Sequence, residues 1–181
     1  MAFTVYSMSV ELFIPMLQNL SALLDKGAQR AAARGFDPGV LVNARLSADM
    51  FPLAQQIRIA CDQAKGATAR LRGLEPPVHE DKEQTLEELK ARVARTIAYL
   101  QGATPAEFQG AEQRLIRMPL RDDMVLEALG AQYLRDWALP NFYFHVVTAY
   151  DILRHNGVEI GKRDYLGAAA GGMVRQSAGS A

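Results

Sequence analysis

The sequence predicts an all-α bundle of four long helices, with short additional helices and one small β-hairpin between the third and fourth. Three observations carry this. Apolar residues recur at three- and four-residue spacing in four separate stretches, the signature of buried helical stripes. Glycine and proline clusters punctuate the chain between those stretches. Around residues 115–126 the helical period gives way to two short β-type runs.

The first long helix is expected to run from a cap at Ser7 or Ser9 to about Arg34. Phe13, Met16, Leu17, Leu20, Leu23 and Leu24 form its stripe, Pro15 predicts a kink and Gly35 ends it. Asp37-Pro38-Gly39 restarts the chain in a short helical turn carrying Val40, Leu41 and Val42. A second long helix is expected from about Asp49 to Leu71. Its stripe, Leu53, Ile57, Ala60, Ala64, Ala67 and Leu71, is rich in small residues that admit a close neighbour. The linker Gly73–His79 contains two prolines and ends that helix. The third helix, about Gln84 to Gln101, opens with a Thr85/Glu88 capping box and carries Leu86, Leu89, Val93, Ile97 and Leu100.

Thr104-Pro105-Ala106-Glu107 starts a further short helix. The runs ending at Met118 and beginning at Met124 flank Pro119–Asp123 as a hairpin. Gly130 to Leu139 reads as a short helix stopped before Pro140. The fourth long helix is Asn141 to Asn156, closed by Gly157. Residues 1–166 form one expected domain, and the glycine- and alanine-rich residues 167–181 a mobile tail.

Composition excludes several function classes. Lysine plus arginine and aspartate plus glutamate both number 20, so the basic excess of a nucleic-acid binder is absent. Arg30, Arg34, Arg92 and Arg95 read as solvated helix faces. The single cysteine, Cys61, allows no intrachain disulfide and no zinc-type cysteine pattern; its wheel position lies off the apolar stripe. With no secretory leader pattern and no apolar run of about 18 residues, the expected location is the cytoplasm, away from membranes.

Three histidines are present: His79, His145 and His155. His79 lies in the proline-rich linker and reads as solvated. His145 and His155 are ten residues apart on one helix, about 15 Å along its axis, too far to share an ion. Arg154 and His155 suit the negative end of a helix dipole. His145 interrupts an apolar and aromatic stretch. The run Phe142-Tyr143-Phe144 reads as core, and with Trp137 offers surface for a subunit interface. On the expected second helix Asp49 and Gln56, seven residues apart, interrupt the stripe in the same way. The three polar side chains either satisfy one another inside the bundle, or line a ligand pocket, or hold a metal.

Three segments carry a resemblance: Ala44–Leu53 (ARLSADMFPL), Ile59–Asp62 with Lys65-Gly66, and Leu139–Tyr150 (LPNFYFHVVTAY) with Leu153–Gly157 and Gly161–Asp164. On these the chain resembles the DinB/YfiT-like superfamily of four-helix bundles, and within it the branch called domain of unknown function 1993. Better-known superfamily members include thiol-dependent transferases and isomerases. They hold a divalent metal with one histidine from the second helix and an HxxxH pair from the fourth. The resemblance places His145 at the first position of that pair, Ala149 at the second, and Gln55 or Gln56 at the second-helix position, with Gln56 favoured by the wheel. It implies a degenerate metal triad.

The expectation is a homodimeric DinB-like protein without catalytic residues or cofactor, binding a small molecule or serving structurally. Its expected pocket comprises Asp49, Gln56, His145 and Thr148, with Asn43 and Arg45 at the mouth. The alternative is a metal-dependent hydrolase or thiol transferase holding zinc or nickel through His145, Gln56 and Asp49.

Overall fold

The computed structural model describes residues 3–120 and 122–167. The first long helix, α1 (Val10–Arg34), continues through the exposed Pro15 and ends at Gly35, whose φ of 67° is the left-handed closing geometry. Ser9 occupies the cap position without capping. Its buried hydroxyl donates backwards to the Val5 carbonyl at 2.5 Å. A short α2 (Gly39–Asn43) leads into the next loop.

The second long helix, α3, spans Leu53–Leu71 and starts later than the sequence predicts. Pro52 disfavours helical backbone at Phe51 and itself sits extended, with ψ of 167°, as the residue before the helix. Asp49 is therefore off the helix, in an exposed loop where Ser47 Oγ donates to its Oδ1 at 2.7 Å. The wheel argument that aligned Asp49 with Gln56 does not hold. Ala60, Ala64 and Ala67 pack against neighbours as the small-residue stripe implies, and α3 is buried on most of its circumference.

The capping box opens the third long helix, α4 (Leu86–Gln101). Glu88 N donates to Thr85 Oγ1 at 3.2 Å, and Thr85 N donates to Glu88 Oε2 at 3.0 Å. Two 3₁₀ turns, Pro105–Phe108 and Ala111–Gln113, replace the expected short helix. The hairpin forms from β1 (Leu115–Pro119) and β2 (Val125–Leu129), antiparallel, with Ile116 opposite Ala128 and Met118 opposite Leu126. That face turns inward. Leu115, Leu129, Pro119 and Val125 face outward about an Arg117–Glu127 ion pair of 2.9 Å.

Pro140 does not break the chain as the sequence predicts. Helix α5 (Gly130–Tyr133) runs through a π turn at Leu134–Ala138 into α6 (Leu139–His155). A proline ring collides with the carbonyl four residues earlier, and the wider turn just before Pro140 relieves that collision. Asn141 Nδ2 donates to the Trp137 carbonyl at 2.8 Å beside it. A final short helix, α7 (Lys162–Leu166), docks on α1 through Lys26–Asp164 at 2.6 Å and Asn19 Nδ2 to the Tyr165 carbonyl at 3.0 Å. The expected tail lies, beyond Gly167, outside the described residues.

Around the bundle α3 packs against both α4 and α6, and α1 against α4 and α6. The Phe13 and Phe142 rings meet edge to face at 4.7 Å across the α1–α6 seam. Phe142 thus belongs to the core, whereas its neighbour Phe144 is 59% exposed. Among the described residues no helix is long and apolar enough to cross a membrane.

Candidate functional site

The α3–α6 seam brings His145 and Gln56 together. His145 Nδ1 lies 2.7 Å from Gln56 Oε1, and Gln56 Nε2 donates to the Phe51 carbonyl at 3.0 Å. The second bond fixes the amide: its nitrogen faces Phe51, so its oxygen faces the imidazole. An amide oxygen only accepts, which places the His145 proton on Nδ1 and leaves Nε2 as an acceptor. The residue is 9% exposed, and the Phe144 ring stands edge-on to it at 5.2 Å. Burial holds its pKa below the ordinary 6.5, so the imidazole is neutral at neutral pH.

Thr148, one turn along α6, is buried and donates to the Phe144 carbonyl at 2.7 Å. Asn43 and Arg45 are exposed and bond to backbone. Asn43 Nδ2 donates to the Gly39 carbonyl at 2.9 Å, and Arg45 Nη1 to the Met50 carbonyl at 3.2 Å. Arg45 thereby braces the loop whose next residue, Phe51, holds Gln56. Asp49 is tied to Ser47, and that hydroxyl keeps its pKa below the ordinary carboxylate value.

The three-histidine metal of the resembling proteins does not fit these residues. His145 supplies one imidazole, Gln56 an amide oxygen already bonded to it, and the buried Ala149 no donor. Among the described residues no group of three or more histidine, cysteine, aspartate or glutamate side chains is arranged to hold a metal ion.

A second polar centre escapes the sequence reading. Arg92 is 0% exposed, not a solvated helix residue. Its Nη1 reaches Asp81 Oδ1 at 3.0 Å, Glu83 Oε1 at 3.2 Å and the Glu80 carbonyl at 3.1 Å; its Nη2 reaches Asp62 Oδ1 at 3.0 Å. Lys65, also buried, pairs with the same Asp62 oxygen at 2.9 Å. Glu83 also takes Arg58 at 3.1 Å and Arg95 at 3.3 Å. Burial alone would raise the Glu83 pKa; its backbone hydrogen bond and the Arg92 charge outweigh that and hold it below the ordinary value. A signal for Arg92 was present in the sequence: it lies three residues after Leu89 and four before Thr96, on the buried side of α4. Cys61 also lies inward, 0% exposed beside Thr96, and burial pushes its thiol up to about 12, so no reactive thiolate forms.

His79 belongs to this centre. Burial and the nearby charges of Lys65 and Arg92 lower its pKa below the ordinary 6.5. His79 and His145 are thus both neutral in the fold, whereas unfolded imidazoles protonate near 6.5. Stability is therefore fully present above that pH and falls as the pH drops below it. The buried carboxylate Glu83, lowered from 4.5, acts only at more acidic pH. Thermal melts between about pH 5 and 7 are expected to show this loss. It should shrink in both His145→Gln and His79→Gln, and an unchanged slope in both variants would refute the assignment.

Comparison with known proteins agrees with this architecture. The family model described as Domain of unknown function (DUF1993) matches residues 5–166. A crystal structure of a DinB family member protein from Shewanella denitrificans is 45% identical, covering 90% of this chain and 92% of that one, with a TM-score of 0.84. No curated protein matches the chain. With the helical bundle, its inserted hairpin and a family match spanning nearly all the described residues, this chain belongs to the DUF1993 family and is a DinB-like protein.

Proposed function

We propose that this DinB-like bundle works without a three-histidine metal, as a small-molecule-binding homodimer in which His145 Nε2 accepts a hydrogen bond from the ligand. The single observation supporting this is the chain of bonds Phe51 carbonyl, Gln56, His145 Nδ1, which fixes the ring and its tautomer. The exposed Phe51 and Phe144 supply apolar surface beside it, suiting a ligand with an aromatic or aliphatic body and one N–H or O–H donor. Exposed Phe144 and Val147 also offer an apolar stripe to a second copy along α6.

Elemental analysis of purified, untagged protein is expected to find no stoichiometric zinc, nickel or manganese. A stoichiometric metal lost in His145→Ala would replace this reading with the metal-dependent hydrolase or transferase. Ring nitrogen spectra should show the proton on His145 Nδ1 and a response at Nε2 to phenol or benzamide as probes. Gln56→Leu leaves the buried Nδ1–H without a partner. It is expected to cost about 1–3 kcal/mol in urea unfolding and to scramble the tautomer. A variant as stable as the parent, with Nδ1 still protonated, would remove the basis for the site.

A further inference from the structure

Helix α6 is buried on every side but one. Its exposed residues are Pro140, Phe144, Val147, Asp151, Arg154 and His155, which follow one another at helical spacing along a single stripe. Asp136, exposed in the π turn one turn earlier, extends the stripe at its start. Phe144 and Val147, 59% and 40% exposed, form its apolar middle. Alternate steps of four and three residues are those of a helix that meets a second helix along its length. No described element of this chain covers the stripe.

The charges along it are ordered. Asp136 stands at one end and Arg154 with His155 at the other, about 27 Å away along the axis. Asp136 holds only its exposed neighbour Arg135, and Arg154, in the last turn, makes no ion pair among the described residues. Two copies laid parallel would set Asp136 against Asp136 and Arg154 against Arg154. Laid antiparallel across a twofold axis between Phe144 and Val147, the stripe is complementary to itself. Phe144 of each copy then meets Val147 of the other, and each Asp136 comes level with Arg154 and His155 of the second copy. Asp151 falls level with Pro140, clear of like charge.

The stripe also borders the His145 ring. Phe144 stands edge-on to that ring at 5.2 Å, and the exposed Phe51 carries the carbonyl that fixes Gln56. Among the described residues the buried side-chain nitrogens without a partner are His79 Nδ1, Arg92 Nε and Trp137 Nε1. His145 Nε2 makes no hydrogen bond and is not one of them, so it is the atom through which the ring meets solvent.

We propose that a second copy of this chain lies antiparallel on the α6 stripe, and that the two α6 helices together wall the site at His145 Nε2. The shared wall rests on the reading of His145 as the ligand's acceptor; the pairing does not. A ligand held by both copies binds the dimer more tightly than the monomer, and it strengthens pairing by the same factor.

Sedimentation of the full chain over a concentration series is expected to show a reversible monomer–dimer equilibrium. Val147→Glu, at an exposed position, is expected to keep the fold, checked by circular dichroism, and to weaken pairing at least about tenfold. Asp136→Arg and Arg154→Glu should each weaken pairing, and the double variant should recover it. The two residues of one helix are too far apart to pair within a copy, so recovery reports contact between copies. Phenol, read at the ring nitrogens of His145, should bind at least about tenfold more weakly to Val147→Glu than to the parent. A chain that stays monomeric, or a dimer untouched by Val147→Glu, overturns the pairing. A double variant no better than the single ones overturns its antiparallel sense. Undiminished phenol binding by monomeric Val147→Glu overturns the shared wall, because one copy then completes the site. If pairing and charge reversal behave as expected while phenol never perturbs Nε2, the ligand reading of His145 fails and the pairing stands.

Discussion

Replacing Arg92 with alanine is expected to destabilise the fold by about 3–5 kcal/mol, the cost of removing one partner from a buried ion pair. The side chain is fully buried and joins Asp62 on α3 to Asp81, Glu83 and the Glu80 carbonyl before α4. Without it Glu83 keeps Arg58 and Arg95, but its carboxylate loses its most buried counter-charge. A domain of this size has about 5–15 kcal/mol in total, so the single variant stands near the limit of folding. Arg92→Met paired with Glu83→Gln therefore accompanies it. Removing both charges together should recover the part of the loss that comes from the Arg92–Glu83 pair, less the cost of leaving Arg58 without that carboxylate. Urea unfolding followed by circular dichroism measures both. A cost below about 1 kcal/mol for Arg92→Ala would mean that the pairs behave as solvated surface bridges.

Gly130→Ala is expected to cost at least about 3 kcal/mol, the upper end for forcing an atom into filled space. A Cβ at this position would overlap the Ala111 carbonyl oxygen, which is backbone and cannot rotate away. Gly130 N also donates to the Arg114 carbonyl at 2.8 Å, which pins the start of α5 to the chain entering the hairpin. The requirement is for space, since Gly130 does not have positive φ. Gly110→Ala is the contrast: its φ is 72° and nothing lies within 4 Å, so only the left-handed penalty of about 1–2 kcal/mol applies. If Gly130→Ala melts with the parent, the hairpin-to-helix junction has slack that the structure does not show.

The helices were legible because burial imposes a period on sequence. The α1 and α4 stripes, the small-residue face of α3 and the Thr85/Glu88 capping box all follow from local spacing. The hairpin was legible because its two runs depart from that period around residues 119–124. Pro140 misled the reading of the final helix. Proline bars an ordinary α turn, but a π turn before it admits the ring, and only packing of Tyr133, Leu134 and Ala138 into the core decides for continuity. Asp49 misled it too, since helical periodicity was extended past Pro52 into a loop.

His145 stood out in the sequence because a polar ring in an apolar helix demands a partner; the resemblance offered Gln55 or Gln56, and the helical wheel favoured Gln56, which the structure places against the ring. The sequence by itself determined which faces are apolar and hence that four helices must bundle. Tertiary structure alone decided how buried charge is compensated. Spacing from Leu89 and Thr96 puts Arg92 on the buried side of α4, but does not say which groups compensate its charge there. What buries it is the convergence of Asp62, Asp81 and Glu83 from segments up to 30 residues away, which offset its lost hydration. Such compensation depends on distances in space, and residue spacing along the chain does not encode them.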